Sequence, residues 1–319
     1  MTLQPPFAES LVLDRPLEPA PSLTLDEGLA VSYHAMTGDL LPHARAVTGQ
    51  VARLANPALV LSVAIGRSTV ATRRVIANLY YRDVVLARQV HLGETLSTTG
   101  TPIAAKWTSS RAERAKFLLD IAVRTDTGDD VAHFQRHALP PASNPDAFVE
   151  RGRPALPEQP GLESFLEAVP AWNGVAHSSR FSLTVGASVT DALCDTVSSA
   201  RELVRLILSV AAAHRDARAG IEGVRLAYGG HTVALGLASL SRSVEGLLTV
   251  VAWRTSDHLW TGFENGLLQT TTTILAVHPA GVGLALVDAR VTVAALRSGV
   301  TSEVLDWRPV LLVATAEGA

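Results

Sequence analysis

Two apolar stretches with helical spacing, each followed by a train of strand-like segments, constrain this chain more than any other feature. Residues 57–72, PALVLSVAIGRSTVAT, read as a buried helix starting on Pro57, a residue tolerated at the first helical position. Residues 229–242 read as a second helix, with apolar side chains at Val233, Leu235, Leu237 and Leu240. VIANLYYRDVVLA, VHLGETLSTTGTPIAAKW, AKFLLDIAVRT and VAHFQRHAL follow the first; LLTVVAWRTSDHLW, GLLQTTTTILAVH, LALVDARVTVAAL and VLLVAT follow the second. Alternation, β-branched residues and intervening turn residues predict an antiparallel sheet in each half. The halves also share text, since Gly93-Glu94-Thr95-Leu96-Ser97-Thr98-Thr99 aligns with Asn265-Gly266-Leu267-Leu268-Gln269-Thr270-Thr271 at a constant offset of 172.

This order predicts a duplicated unit of about 140 residues. Each unit is expected to be α+β, a curved antiparallel sheet wrapped around a long helix, with sheet edges joined between units so that two exposed edges vanish. Residues 1–138 are read as the first unit, the Pro-rich stretch 139–162 as a linker, and 163–319 as the second unit. Smaller expectations are a helix over 24–36 capped by Thr24, a strand at SLTVGASVT and a helix through ARELVRLILSVAAA.

Composition narrows the function classes. A net charge of −3 offers no basic face for nucleic acid. The one cysteine, Cys194, excludes an intramolecular disulfide and a cysteine-based zinc site, and fits a reducing compartment. There is no signal-like N-terminus and no apolar run of about 20 residues, so a cytoplasmic protein that does not enter a membrane is expected. No HExxH, GxSxG or three-glycine phosphate signature is present, so neither a metal nor another cofactor is implied.

The densest polar cluster inside an apolar run lies at 209–240. His214 and Asp216 come first, and Tyr228-Gly229-Gly230-His231 then opens the second predicted helix. A helix starting on Gly-Gly leaves backbone N–H groups pointing where an anion or polarised carbonyl can sit.

The text His214-Arg215-Asp216, LAYGGHTVALGLA, Ser256-Asp257-His258 and Phe263-Glu264, with TGDLLPHA and LGETLST in the first half, resembles the MaoC-like acyl dehydratases. It is similar in particular to their two-hotdog group, which includes mesaconyl-CoA hydratase-like proteins. The resemblance implies a double hotdog and hydration or dehydration of a 2-enoyl or 3-hydroxyacyl thioester carried on CoA or a carrier protein. In that family a D-x-x-x-x-H pair handles water while amides at the helix start polarise the thioester carbonyl. Carried over, the histidine is His214, the donors lie at Gly229 and Gly230, and Ser209 stands where Asp or Asn is expected.

Asp216 or Asp257 is expected to orient His214, and Tyr228, His231, Asp257, His258, Arg215 and Arg225 to meet substrate, the arginines through CoA phosphates. Asp39 and His43 form a second-ranked catalytic pair. Because Ser209 replaces the acid or amide, the alternative is an impaired or repurposed double hotdog that binds acyl thioesters. A homodimer of the pseudo-dimeric chain is a further expectation.

Overall fold

The computed structural model describes residues 7–42, 53–75, 77–108, 114–144, 150–152, 159–169, 183–221, 223–259, 264–297 and 299–315. The first half contains β1 (Leu23–Thr24), α1 (Glu27–Thr37), α2 (Pro57–Ser68), β2 (Ala77–Leu86), β3 (Thr95–Trp107), β4 (Ala115–Thr125) and β5 (Asp130–Leu139). The second contains β6 (Ser188–Thr190), β7 (Asp195–Thr196), α3 (Ala200–Leu206), α4 (Gly229–Ser243), β8 (Leu247–His258), β9 (Leu267–Gly281), β10 (Leu284–Arg297) and β11 (Val300–Ala314).

All strands join one antiparallel sheet in the order β1-β3-β4-β5-β2-β8-β11-β10-β9-β6, with β7 also on β9. The order reads alike outward in both directions from the β2–β8 contact, where Tyr81 lies opposite Ser256 and Arg82 opposite Thr255. The edge-to-edge junction expected from the sequence is therefore present, and it removes one open edge from each half. The offset of 172 has a structural meaning. Gly93 and Asn265 both take left-handed backbone conformations, φ 101° and 64°, just before β3 and β9 begin.

The two long helices lie against the sheet and against each other. Every residue of α2 is buried, as its apolar run predicts. In α4, Val233, Leu235, Leu237 and Leu240 are each at most 5% exposed, and burying each such side chain contributes roughly 1.5–3 kcal/mol. On the outer face of the second half-sheet, Leu162 and Phe165 of the short 3-10 helix Leu162–Ala168 cover Leu248, Val251, Leu286 and Leu312.

Three sequence expectations change. The first helix is capped by Asp26, which accepts from Leu29 N–H at 2.7 Å, because Thr24 is taken into β1. Of SLTVGASVT, only Ser188–Thr190 is strand, its first residue lying outside the described set. The helix predicted through Ala213 stops at Leu206. There Leu208 adopts φ 53°, Leu208 N–H donates to Arg205 O and Ser209 N–H to Val204 O. This pair of bonds is a Schellman ending with a leucine in the left-handed position usually given to glycine. Ser209 and His214, about 140° apart on a continuous helix, are thus separated by a turn and do not share one helix.

Candidate active site

The starts of the two long helices differ in chemistry. At α2, Pro57 lacks an N–H and the Asn56 side chain accepts from Ala58 N–H at 2.8 Å, so the helix start is closed. Asp39 holds that cap, accepting from Asn56 Nδ2 at 2.9 Å and from Leu41 N–H at 3.2 Å. Burial raises the Asp39 carboxyl above its usual value, with His34 opposing the shift. The second-ranked pair is therefore represented by Asp39 acting on the α2 cap, while His43 lies outside the described residues. At α4 no side chain caps the helix. Its first-turn N–H groups include those of Gly229 and Gly230, the kind of uncapped helix-start donors that can meet an anion.

Close approach explains both glycines. A Cβ on Gly229 would stand 2.6 Å from His258 Cε1 and 2.9 Å from its Nε2, and one on Gly230 would stand 2.4 Å from the Tyr228 ring. His258 thus lies directly over the helix start. Its Nε2 is buried without a hydrogen-bond partner, and burial together with nearby His214 lowers its pKa to about 4, so the ring is neutral. Gly229→Ala, which pushes this ring aside, is expected to lower turnover about tenfold with little loss of stability. Equal kcat/KM in the variant and the parent would remove His258 from the site.

His214 sits in the 3-10 turn Ala212–His214, edge-on to the Tyr228 ring at 5.8 Å between centroids. Its Nδ1 is 3.0 Å from Leu226 O. A carbonyl only accepts, so Nδ1 carries the proton and Nε2 the lone pair. Burial lowers the His214 pKa, opposed by the Leu226 bond and reinforced by the positive charge of Arg136. The imidazole is thereby kept in its basic form at neutral pH.

Ser209 is fully buried. Its Oγ lies 3.4 Å from Thr69 Oγ1, just past the end of α2, and Thr69 Oγ1 also accepts from Val210 N–H at 2.9 Å. Ala212 N–H donates to Arg73 O at 3.0 Å. The 209–214 segment of the second half is therefore seated on residues 69–73 of the first.

The remaining predicted residues divide. Tyr228 is buried with its hydroxyl facing Ser62 of α2, and burial raises its pKa well above the ordinary value, so it stays a phenol. Asp257 and His258 point to opposite sides of β8, and Asp257 pairs with Arg82 across the junction instead of reaching His214. Asp216 caps the next turn and pairs with Arg218 at 2.7 Å, 40% exposed. His231 is buried under α1 beside the Met36 backbone, its pKa lowered to about 4 by burial. Arg215 donates to Ser209 O at 3.1 Å, and Arg225 to Glu264 at 2.7 Å.

Sequence reasoning missed the first half's share of the site, namely Thr69, Tyr81 and Arg136. Tyr81 on β2 meets His258 edge-on at 5.7 Å. Arg136 is fully buried and donates to Thr72 Oγ1 at 2.6 Å and to Ser68 Oγ. The available signal was alternation: Phe134, Arg136 and Ala138 share one face of β5, which puts a charge on the core side. Among the described residues no group of three or more His, Cys, Asp or Glu is arranged to hold a metal ion. Among them, too, no helix is long and apolar enough to cross a membrane.

Two half-sheets fused edge to edge, each with a buried helix and with the open helix start beside two histidines, define the class as a double hotdog. No family model and no curated protein sequence matches the chain. Among solved structures it is 31% identical, with a TM-score of 0.79, to a conserved hypothetical Mycobacterium tuberculosis protein. That match spans 97% of this chain and 98% of the other, a protein described as essential for bacterial survival during infection and as having a double hotdog fold. A protein described as a MaoC domain dehydratase from Chloroflexus aurantiacus matches at TM-score 0.86 and 19% identity over 99% of both chains. A MaoC-like dehydratase from Phytophthora capsici matches at 0.57 and 12%, over 97% of this chain and 98% of that one. The chain belongs to the same double-hotdog family as the Mycobacterium tuberculosis protein, and it shares its fold with the MaoC-like dehydratases.

Proposed function

We propose that the protein adds water to, or removes it from, a 2-enoyl or 3-hydroxyacyl thioester, using His214 as acid and base and the Gly229–Gly230 amides as the oxyanion site. The observation that carries this reading is the contrast between the two helix starts. α2 is closed by Pro57 and Asn56, whereas α4 is uncapped and faced by neutral histidines. Hydration needs donors for the charge that grows on the thioester oxygen and a base near neutrality.

In the hydration direction, water's proton passes to His214 Nε2 as its oxygen bonds to the β-carbon. The C=C pair shifts toward the α-carbon and carbonyl, leaving negative charge on the oxygen at the α4 start. Protonation of the α-carbon by the imidazolium returns His214 to its neutral form. Ser209 and Thr69 hold the turn that carries His214, and the Ser209 hydroxyl helps to place the water. Being neutral, it takes no proton from it. Arg215 and Arg225, at the rim of the 209–226 segment, are suited to CoA phosphates.

The direct test follows enoyl absorbance with crotonyl-CoA and mesaconyl-CoA. Its pH dependence is informative, because a histidine with a lowered pKa stays basic through its ordinary value of 6.5 and loses activity only further into acid. The acid limb of kcat/KM is therefore expected below pH 6.5. A limb at or above that value assigns the base to another group, and no turnover of any enoyl thioester defeats the proposal.

A further inference from the structure

A row of polar side chains crosses the junction on the inner face of the sheet. Arg136, Tyr81, Ser256 and Trp307 are successive cross-strand neighbours on β5, β2, β8 and β11. Each is at most 1% exposed, and Arg136 Nε, the Tyr81 hydroxyl, Ser256 Oγ and Trp307 Nε1 are buried with no hydrogen-bond partner among the described residues. A donor left unpaired in the interior costs more than a typical hydrogen bond returns, so a run of them along one face points to a ligand that carries oxygen. Arg136 places its other nitrogens on Ser68 and Thr72. Ser256 and Trp307 have only the one polar side-chain atom each, and both are unmet.

This end of the row is uncharged. Strand alternation turns the adjoining acids Asp257 and Asp306 to the other face, where they pair with Arg82 and with Arg290. Trp253 stands edge-on to Trp307 at 5.5 Å and to Tyr81 at 6.5 Å, and Val291, opposite Trp307, is fully buried. An indole N–H only donates, and a hydroxyl can donate beside it. Two neutral donors in apolar surroundings suit a carbonyl oxygen with its two lone pairs, whereas a carboxylate there would lack a counter-charge. β8 fixes how far this pair lies from the proposed oxyanion site. His258 stands over the start of α4. Ser256, two residues back on the same face, is about 7 Å from it, a span of about six single bonds.

We propose that Ser256 and Trp307 form a subsite for a ketone oxygen on about the fourth to sixth carbon of the acyl chain, so that the preferred substrates are oxo-acyl thioesters. This rests on the thioester reading above and specifies its substrate class. The chain runs from the α4 start along the inner face of β8, past Tyr81, and both donors receive its oxygen. An unsubstituted chain of the same length leaves both donors buried and unmet, the mismatch that a hydrogen-bonding site rejects most strongly.

The test uses saturated thioesters, which cannot be hydrated, so binding is read apart from catalysis. Calorimetric titration of the full chain compares 4-oxopentanoyl-, 5-oxohexanoyl- and 6-oxoheptanoyl-CoA with pentanoyl-, hexanoyl- and heptanoyl-CoA. At least one oxo-acyl ligand is expected to bind about tenfold more tightly than its unsubstituted match. Ser256→Ala and Trp307→Phe should each cut that margin to within about threefold while leaving the unsubstituted ligands within about twofold of the parent. Because Ser256→Ala removes an unmet hydroxyl, the unliganded variant should unfold at or above the parent temperature. No margin for any of the three, no binding of any oxo-acyl ligand at about 1 mM, or a margin that survives in Ser256→Ala overturns the proposal. So does a lower unfolding temperature of Ser256→Ala, which would show the hydroxyl bonded within the protein. If Trp307→Phe does not fold, Ser256→Ala, which loses a single oxygen, still decides. A protein that hydrates crotonyl-CoA but shows no margin defeats this inference alone. One that keeps the margin yet hydrates no enoyl thioester defeats only the proposed reaction.

Discussion

Replacing His214 with alanine is expected to lower kcat/KM for an enoyl thioester about 10³-fold, or about 4 kcal/mol of transition-state stabilisation. The reason is local. With Nδ1 committed to Leu226 O, only Nε2 is free to take and return the proton, and the neighbouring His258 has a pKa near 4 that makes it a poor base. Ser209 cannot substitute, since a neutral hydroxyl does not abstract a proton from water without an activating base. The fold should tolerate the change, because the side chain is only partly buried and makes one hydrogen bond to backbone. Measuring kcat/KM together with thermal unfolding separates the two effects. Activity within tenfold of the parent, in a protein that unfolds at the parent temperature, would falsify the role given to His214.

Gly66→Ala is expected to destabilise the protein by about 2 kcal/mol, although alanine ordinarily favours a helix by roughly 0.5–1 kcal/mol over glycine. An added Cβ would stand 2.5 Å from Ile207 O and 3.0 Å from Ile207 Cγ1. A backbone carbonyl at the end of α3 cannot swing away as a side-chain tip can. The helices must separate, moving the turn through Leu208 and Ser209 that rests on Thr69. The loss should therefore appear both in the urea midpoint and in turnover. Gly236→Ala in α4 is the control, since its added Cβ meets Val293 Cγ2 at 3.4 Å, ordinary contact. A Gly66→Ala protein as stable as Gly236→Ala would show that the α2–α3 crossing is looser than described.

The legible part of the site was its second half. The Gly-Gly opening of α4 and the nearby His214 are local features, and the sequence displayed them. Partnerships across the junction were not legible. Nothing in the spacing of Asp257 and His258 says that the first pairs with Arg82 while the second turns inward, because that depends on which face of β8 meets the helices. Arg136 reads as an ordinary strand arginine until β5 is placed against the end of α2.

The end of α3 shows the same limit at short range. The run ARELVRLILSVAAA keeps helical periodicity beyond Leu206, and local propensity favours its continuation. A left-handed leucine at 208 is unfavourable by itself, so packing of Ile207 on Gly66 and of Ser209 on Thr69 holds the turn in place.

By itself the sequence determined the duplicated order of elements, the two buried helices and the Gly-Gly start of α4. Periodicity and turn chemistry are properties of consecutive residues, and they survive without knowledge of what lies opposite. Only the tertiary structure decided that Asp257 pairs with Arg82 while His258 turns over the start of α4, and that Thr69 and Tyr81 of the first half meet Ser209 and His258. Those facts arise where β2 meets β8 and α2 meets the 207–214 turn, between residues more than a hundred positions apart, and buried charge and hydrogen bonding there depend on partners that no local pattern names.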